Sequence, residues 1–255
     1  MNNDKVTPKK RLGQHFLKDE RIAKRVVESI NSSNKNVLEI GPGMGILTKY
    51  LIENKTINLS VIEIDKESVS YLQRHFPELA SRILAQNFLT LDLEAHYQEP
   101  VTIIGNFPYN ISSQILFKLL DYKNLSTQLV GMFQKEVADR IASKPGSKQY
   151  GILSVLIQAF FDVEYLFTVE SNLFFPPPKV QSAVIRITRN FEKKLRCDET
   201  LFKNVVKTAF NQRRKTLRNS LKSFTFEEKY LADPIFNKRP EQLSVEEFEL
   251  ITCWI

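Results

Sequence analysis

The residue types that most clearly indicate a binding or catalytic site are those of Asn106, Phe107, Pro108 and Tyr109. They follow a run of β-branched residues and Gly105. A residue before proline is held extended, so the Phe107 and Pro108 carbonyls tend to stay unpaired. With the Asn106 side-chain oxygen they supply acceptors for the two N–H donors of an exocyclic amine. The Tyr109 ring can stack on the ring that carries the amine. The pattern predicts a site for a flat, amine-bearing ring, and a proline turn with aromatic packing is the alternative.

A second candidate site is the glycine loop of Gly41, Gly43 and Gly45, which lies between a predicted strand and a predicted helix. Such glycines permit a sharp turn and close approach to a ligand. Ile46 stands where a dinucleotide fingerprint needs glycine, and the Gly-Lys-Ser/Thr of a P-loop is absent, so we expect no pyrophosphate ligand. The next strand ends in Glu63, whose carboxylate can accept both ribose hydroxyls. A nucleoside site follows, with S-adenosyl-L-methionine as candidate; a tight turn beside a surface acid is the alternative.

The two candidate sites need β-strands to hold their residues in place. Seven short apolar runs predict such strands: NVLEIG, LSVIEID, RILAQNF, VTIIGN, TQLVGMF, DVEYLFTVE and SAVIRITR. Their alternation with helical segments predicts an α/β, Rossmann-like, mostly parallel sheet. The last two runs lack an intervening helix, which predicts one antiparallel edge strand. After residue 190 the sequence has helical periodicity alone. We therefore expect a catalytic domain of residues 1–190 and a small all-helical domain of residues 191–255.

Several motifs together resemble a known family. NFPY is similar to the Asn-(Leu/Ile/Phe)-Pro-Tyr motif of adenine-N6 methyltransferases, and GQHFL, EIGPGMG, QKEVADRI, FFPPPKV and FNQRRKTLRNSL accompany it in order. The chain thus resembles the KsgA-type small-subunit rRNA adenine dimethyltransferases, which are class I S-adenosylmethionine-dependent methyltransferases. The resemblance implies methylation at N6 of two adjacent adenines in a hairpin loop near the 3′ end of 16S rRNA, with a role in small-subunit biogenesis.

The resemblance also implies roles for single residues. The cofactor-binding set would be Gln14, His15, Leu17, Gly41, Gly43, Glu63, Asn87 and Asn106. His15 stands where many members have Asn, and Asn87 where many have Asp, so Asn87 would accept a hydrogen bond without charge assistance. Asn106, Pro108 and Tyr109 would hold the target adenine. Phe174 would stack on the second face of the adenine. The alternatives are that Phe175 has this role, or that Phe174 only packs in the core. No metal is expected.

A basic segment near the end of the chain predicts contact with RNA. Arg213, Arg214, Lys215 and Arg218 would lie within two helical turns, with 214 and 218 on one face. The net charge of +7 and the resemblance favour shape and phosphate recognition of folded RNA over a solvated charged face. The expected partner is 16S rRNA in the 30S subunit or its precursor.

Other features exclude whole classes of protein. Cys197 and Cys253 allow no disulfide framework and stand at no metal-ligand spacing, which fits a reducing compartment. The start of the chain has no apolar run of a signal peptide, and no stretch is as long and apolar as a membrane helix. We expect a cytoplasmic protein, monomeric and without a membrane partner.

Two other functions stay open on the sequence. An Erm-like 23S rRNA adenine methyltransferase would share the first motifs in weaker form. A ribosome-assembly factor would bind the immature small subunit, with methylation secondary.

Overall fold

All seven strands that the apolar runs predict are present in the computed structural model, which describes residues 6–255. The strands of this range are β1 (Phe16–Leu17), β2 (Asn36–Ile40), β3 (Asn58–Ile62), β4 (Ile83–Leu84), β5 (Val101–Asn106), β6 (Ser126–Gln134), β7 (Phe161–Val169), β8 (Phe174–Phe175) and β9 (Ser182–Arg189). Its helices are α1 (Glu20–Glu28), α2 (Thr48–Glu53), α3 (Lys66–His75), α4 (Leu93–His96), α5 (Ser112–Asp121), α6 (Lys135–Ala142), α7 (Ile152–Gln158), α8 (Glu199–Asn211), α9 (Leu217–Ser220), α10 (Glu228–Leu231) and α11 (Val245–Cys253).

The main sheet has the order β4-β3-β2-β5-β6-β9-β7. Its pairs from β4 to β6 are parallel, whereas β9 runs antiparallel to β6. The predicted mostly parallel α/β sheet with an antiparallel edge is therefore confirmed. β2, β5 and β6 are almost wholly buried, as the strands of a parallel sheet covered on both faces must be.

The parallel register brings the ends of three strands together. Ile40, at the end of β2, lies opposite Ile62 at the end of β3, and Glu39 lies opposite Ile104 of β5. The segments that follow these strands are the glycine loop, Glu63 and the NFPY segment, so one edge of the sheet gathers all three.

Phe107 anchors the NFPY segment to the sheet. Gly105 of β5 and Gly131 of β6 are opposite each other, and a Cβ at Gly131 would lie 2.0 Å from the Phe107 ring. At Gly105 it would lie 2.8 Å from that ring. The ring therefore occupies the space that two absent side chains leave, is 1% exposed and packs 4.9 Å from the Phe133 ring. It fixes the position of Asn106 beside it.

The structure also contains a two-stranded sheet that the sequence does not predict. β1 pairs antiparallel with β8, with Phe16 opposite Phe175 and Leu17 opposite Phe174. Two residues are too few to show a period, so only the folded chain reveals that the GQHFL and FFPPPKV segments meet.

The chain divides into two compact units, and the division differs in part from the expected one. The first extends to Ala138 and includes Glu164–Arg189, and the second comprises Asp139–Val163 and Asn190–Ile255. One border coincides with the change in sequence near Asn190. The segment 139–163, which the sequence predicts to be in the first domain, is grouped with the second unit, in which α7 packs against α8 and α11.

The second unit is built from capped helices. Asp198 accepts a hydrogen bond from Leu201 N (2.7 Å) at the start of α8, and Ser244 with Glu247 forms a capping box on α11. No helix among residues 6–255 is long and apolar enough to cross a bilayer.

Candidate functional site

Two adjoining cavities open where β2, β3 and β5 end. Their volumes are about 160 Å³ and about 630 Å³, and both are lined by Phe16, Gly41 and Asn106. The smaller cavity brings together most of the predicted site: Gln14, His15, Gly41, Gly43, Glu63, Asn87, Asn106, Pro108 and Tyr109. The larger one includes Leu17 and Glu39. Phe174 lines neither of them.

Glu63 is oriented by the backbone around it. Its Oε2 accepts from Gly43 N (3.2 Å) and its Oε1 from Asp65 N (2.8 Å). The side chain is buried, and this burial raises the pKa of the carboxyl group. Each oxygen keeps a lone pair, so the pair of oxygens suits two neighbouring hydroxyl groups such as those of a ribose.

The three glycines of the loop differ in the surroundings that an added side chain would meet. All have positive φ, but only at Gly41 would an added Cβ meet nothing within 4 Å. At Gly43 it would lie 2.8 Å from Phe16, and at Gly45 2.4 Å from Phe76. Gly41 therefore leaves open space for a ligand, whereas Gly43 and Gly45 allow the Phe16 and Phe76 rings to pack close to the loop backbone. Gly43 also acts on the site indirectly, through its hydrogen bond to Glu63.

Asn106 presents an acceptor at the junction of the two cavities. Its Nδ2 donates to the His15 carbonyl (2.8 Å), which fixes the orientation of the amide. The Oδ1 atom is thereby left as an acceptor. This is the arrangement that capture of an N–H donor requires.

The Pro108 carbonyl differs from its expected state. We predicted it to be unpaired, but it accepts from Ile111 N (3.2 Å) and from Ser112 Oγ (3.3 Å). The cause is a 3-10 turn at Tyr109–Ile111 directly after the proline. Pro108 is therefore a weaker candidate than Asn106 for holding an amine.

Tyr109 is held at its ring and at its hydroxyl. The ring is stacked 5.4 Å from the His15 ring, with an angle of 27° between them. Its hydroxyl shares a hydrogen bond with Ser182 Oγ, and burial raises the pKa of Tyr109. The His15 Nδ1 atom lies 2.7 Å from the Pro176 carbonyl oxygen. His15 thus supports Asn106 with its backbone and Tyr109 with its side chain.

Phe174, the predicted second stacking residue, lies in the core of this structure, and its role toward the base stays a prediction. Phe174 is 1% exposed and packs in the hydrophobic core, as Leu17 does on the facing strand. Neighbouring residues of a strand point to opposite faces, and Phe175 is 58% exposed. Phe175, the alternative considered above, is the more exposed of the two rings, and it too lines neither cavity.

Gln14 and Asn87 line the cavity but also have structural partners. Gln14 Oε1 accepts from Lys9 N (2.8 Å), and Lys9 forms an ion pair with Asp65. Asn87 Oδ1 accepts from Leu89 N (3.0 Å) at the start of a 3-10 turn. Ile64, which sequence reasoning missed, is 52% exposed on the cavity wall. Its neighbours in the VIEID run gave no signal that this apolar side chain would face a cavity.

The four basic residues of the predicted RNA surface do not form one helical face. α8 ends at Asn211 and α9 begins at Leu217, so a turn separates residue 214 from residue 218. Arg213 donates to the Lys148 carbonyl (2.7 Å) and Arg218 to the Leu231 carbonyl (2.6 Å). Arg214 and Lys215 are exposed and have no ion-pair partner among residues 6–255. They are the two that remain available to a polyanion.

Glu39 is a buried acid that makes stability depend on pH. It is 1% exposed, accepts from Thr48 Oγ1 (2.6 Å), and its burial raises the pKa to about 8, with the Glu63 charge adding to the shift. Between about pH 4.5 and pH 8 the folded state therefore binds more protons than the unfolded state, so the free energy of unfolding falls as pH rises.

We expect Glu39→Gln to remove this dependence. A neutral amide keeps an acceptor for Thr48 and has no charge to bury. The free energy of unfolding of the variant, relative to wild type, should rise by about 1 kcal/mol per pH unit across that window. Urea titrations at pH 5 and pH 8 measure it, and parallel pH profiles for the two proteins would show that Glu39 does not titrate as described.

The comparisons with known proteins agree with this geometry. Residues 6–250 match the family Ribosomal RNA adenine dimethylase. The chain is 58% identical to the Ribosomal RNA small subunit methyltransferase A of Parabacteroides distasonis, over 97% of this chain and 93% of that one. It is 57% identical to the protein of that name from Flavobacterium johnsoniae, over 98% and 96%.

Solved structures share the fold. A dimethyladenosine transferase from Plasmodium falciparum has a TM-score of 0.75 at 24% identity, with 92% of this chain and 94% of that chain covered. The 23S rRNA methyltransferase ErmE has a TM-score of 0.71 at 24% identity, with 92% and 98% covered. The family match and the relatives at 57–58% identity show that the chain belongs to the ribosomal RNA adenine dimethylase family and is an S-adenosylmethionine-dependent rRNA adenine dimethyltransferase.

Proposed function

We propose that this enzyme methylates N6 of two adjacent adenines in a hairpin loop near the 3′ end of 16S rRNA, giving N6,N6-dimethyladenosines. The observation that carries the proposal is the Asn106 amide, which the His15 carbonyl orients at the junction of two cavities. The close relatives are small-subunit methyltransferases by name, which favours 16S rRNA over the 23S rRNA of ErmE. We further propose that it acts in the cytoplasm as a monomer on the 30S subunit or its precursor.

The cavity residues fit the cofactor. The Glu63 carboxylate suits the two ribose hydroxyls, the open space at Gly41 admits the ligand, and Asn87 and Ile64 line the wall beside Glu63. When bound, S-adenosylmethionine supplies a methyl group on a positively charged sulfur. The apolar part of the cavity lining, which includes Ile40, Ile62 and Ile64, would limit the access of water to that charge.

Asn106 acts on the target amine. The N6 lone pair of adenine is delocalised into the ring, so the free amine is a poor nucleophile. An N–H bond held by Asn106 Oδ1 would fix the nitrogen and favour a pyramidal geometry, in which the lone pair is localised on N6 instead of being delocalised into the ring. Positioning of this kind supplies most of the rate when no strong base is needed.

Tyr109 and Phe175 would hold the adenine after it has left its stack in the RNA. Stacking of a base on an aromatic side chain contributes about 1–3 kcal/mol. We therefore expect Phe175→Ala to lower kcat/KM for 30S subunits by about 5- to 150-fold. Initial rates measure the effect, and Phe191→Ala, which removes a 54%-exposed ring of the second unit, is the control. Equal rates for the two variants would remove Phe175 from the site.

The substrate is tested with purified protein and methyl-labelled S-adenosylmethionine. Separated 30S and 50S particles from cells that lack this methylation are the two substrates. Label in 30S rRNA, recovered as N6,N6-dimethyladenosine, supports the proposal. Label in 50S rRNA instead would assign the enzyme to the Erm-like function, and salt-sensitive 30S binding without transfer would leave an assembly factor.

A further inference from the structure

Lys118 of α5 is a half-buried lysine that lines neither cavity of the candidate site. Its ammonium group donates to the carbonyl of Leu89 (3.1 Å) and to that of Leu91. Both carbonyls belong to residues 87–91, which we call the 87–91 turn and which come shortly after β4. The contact therefore joins α5, the helix after the NFPY segment, to this turn.

The 87–91 turn forms part of the wall of the smaller cavity, which Asn87, Phe88 and Leu89 line. The turn is a single 3-10 turn, in which Asn87 Oδ1 accepts from Leu89 N (3.0 Å). Leu91 N donates to the Phe88 carbonyl (3.1 Å). Hydrogen bonds in a 3-10 turn have poorer geometry than those of an α-helix. A turn of this length therefore depends on contacts from outside it, and Lys118 provides two.

Two aromatic rings complete the surroundings of the ammonium group. The centres of the Phe88 and Tyr122 rings each lie 5.3 Å from Lys118 Nζ, which is within the range of a cation–π interaction. Phe88 is 4% exposed and also lines the smaller cavity. A residue of the cavity wall is thus in contact with the ammonium group.

The position of this charge has a cost. Burial lowers the pKa of Lys118, whereas the charges of Asp92 and Asp121 act in the opposite direction. Moving an ammonium group away from water costs free energy unless other contacts replace its hydration. Here two backbone carbonyls and two rings replace part of it. An uncharged side chain could fill the same space without that cost, so packing alone does not explain a lysine here.

We propose that Lys118 is a positioning residue for the cofactor, because its ammonium group keeps the 87–91 turn in the shape that binds S-adenosylmethionine. The inference rests on the proposed function, since it takes the smaller cavity as the place of the cofactor's nucleoside. Lys118 acts through Asn87 and Phe88 and touches no reactant. A wall that already has its binding shape loses little conformational freedom when the ligand binds. The role therefore concerns cofactor affinity and not the chemistry at N6.

Direct binding of the cofactor tests the proposal with Lys118→Met, which removes the ammonium group and keeps an unbranched side chain. If the turn has its binding shape for about a tenth of the time in this variant, the dissociation constant of S-adenosylmethionine rises about 10-fold. Calorimetry on the protein without RNA measures it. With 30S subunits, KM for S-adenosylmethionine should rise as well, while kcat at saturating cofactor and KM for 30S subunits stay at their wild-type values.

The matched control is Lys55→Met. It changes an exposed lysine between α2 and β3 that lines neither cavity. We expect its dissociation constant and both KM values to equal those of wild type.

Hydrogen exchange reports on the turn itself. The amides of Leu89, Thr90 and Leu91 are hydrogen-bonded within the turn, and local opening exposes them to exchange. Without cofactor we expect these amides to exchange faster in Lys118→Met than in wild type, and saturating S-adenosylmethionine should remove the difference. Equal exchange and equal dissociation constants in the two proteins would overturn the proposal. A lower melting temperature with unchanged cofactor affinity would also overturn it, because Lys118 would then be structural only.

Lys118→Arg separates the charge from the packing of the side chain. It keeps a positive charge with several N–H donors, so we expect its dissociation constant for S-adenosylmethionine to lie closer to wild type than that of Lys118→Met. Equal weakening in both variants would show that the charge is not what holds the turn and would contradict the proposal. In each of these outcomes wild type still methylates 30S subunits, whereas absence of that activity would mean that the proposed function itself has failed.

Discussion

Asn106→Ala is expected to lower the rate of methyl transfer by about 100-fold or more while the protein stays folded. The substitution removes the Oδ1 acceptor that would hold the target amine, and the other two residues that line both cavities, Phe16 and Gly41, have no polar side-chain atom. It also frees the His15 carbonyl, which lies in a partly exposed segment where water can replace the lost donor. The measurements are single-turnover rates with labelled S-adenosylmethionine and 30S subunits.

Two further variants test whether the loss of activity in Asn106→Ala comes from the amide group of Asn106. Asn106→Asp keeps an acceptor but cannot donate to the His15 carbonyl (2.8 Å in wild type), so we expect it to be impaired as well. Asn172→Ala truncates an exposed asparagine outside both cavities and should transfer methyl groups at the wild-type rate. Near-normal transfer by Asn106→Ala would show that the amine is held by another group.

Gly131→Ala is expected to damage stability and activity together. The new Cβ would lie 2.0 Å from the Phe107 ring, and the Phe133 ring, 4.9 Å from that of Phe107, limits how far the Phe107 ring can move. Overpacking of this kind costs about 1–3 kcal/mol, which corresponds to a melting temperature lower by several degrees. Because Phe107 anchors the NFPY segment, its displacement moves Asn106 as well. We expect kcat to fall at least about 10-fold in the protein that remains folded.

The control for this prediction is Gly151→Ala. There the nearest atom to an added Cβ is 3.9 Å away, and φ is −163°, so alanine fits. The double variant Gly131→Ala/Phe107→Leu should recover part of the lost stability, because the smaller side chain relieves the overlap. A Gly131→Ala protein with wild-type melting temperature and rate would contradict the anchoring role of Phe107.

The sheet and the grouping of its site residues follow from the sequence for a simple reason. Each apolar run is long enough to show that it is a strand, and the carboxyl ends of parallel strands meet at one edge. Asn106 ends its strand and Glu63 directly follows its own, so their proximity could be predicted without knowing any contact. Their roles toward ligands stay predictions that the variants above test.

The features that could not be predicted depend on pairing and on short turns. Which of Phe174 and Phe175 faces outward is decided by the pairing of β8 with β1, which two residues cannot encode in a period. The Pro108 carbonyl is engaged because a 3-10 turn follows it. The break after α8 separates Arg214 from Arg218 although the sequence there keeps a helical period. In each case a local pattern is overridden by a partner elsewhere in the chain or by one turn.

The most direct test of the account is mass spectrometry of the 3′-terminal fragment of 16S rRNA from cells that carry either this protein or its Asn106→Ala variant as their only enzyme of this kind. The account predicts two adjacent N6,N6-dimethyladenosines with the wild-type protein and unmodified adenines with the variant. Unmodified 16S rRNA in both strains, or dimethyladenosine found in 23S rRNA, would contradict it.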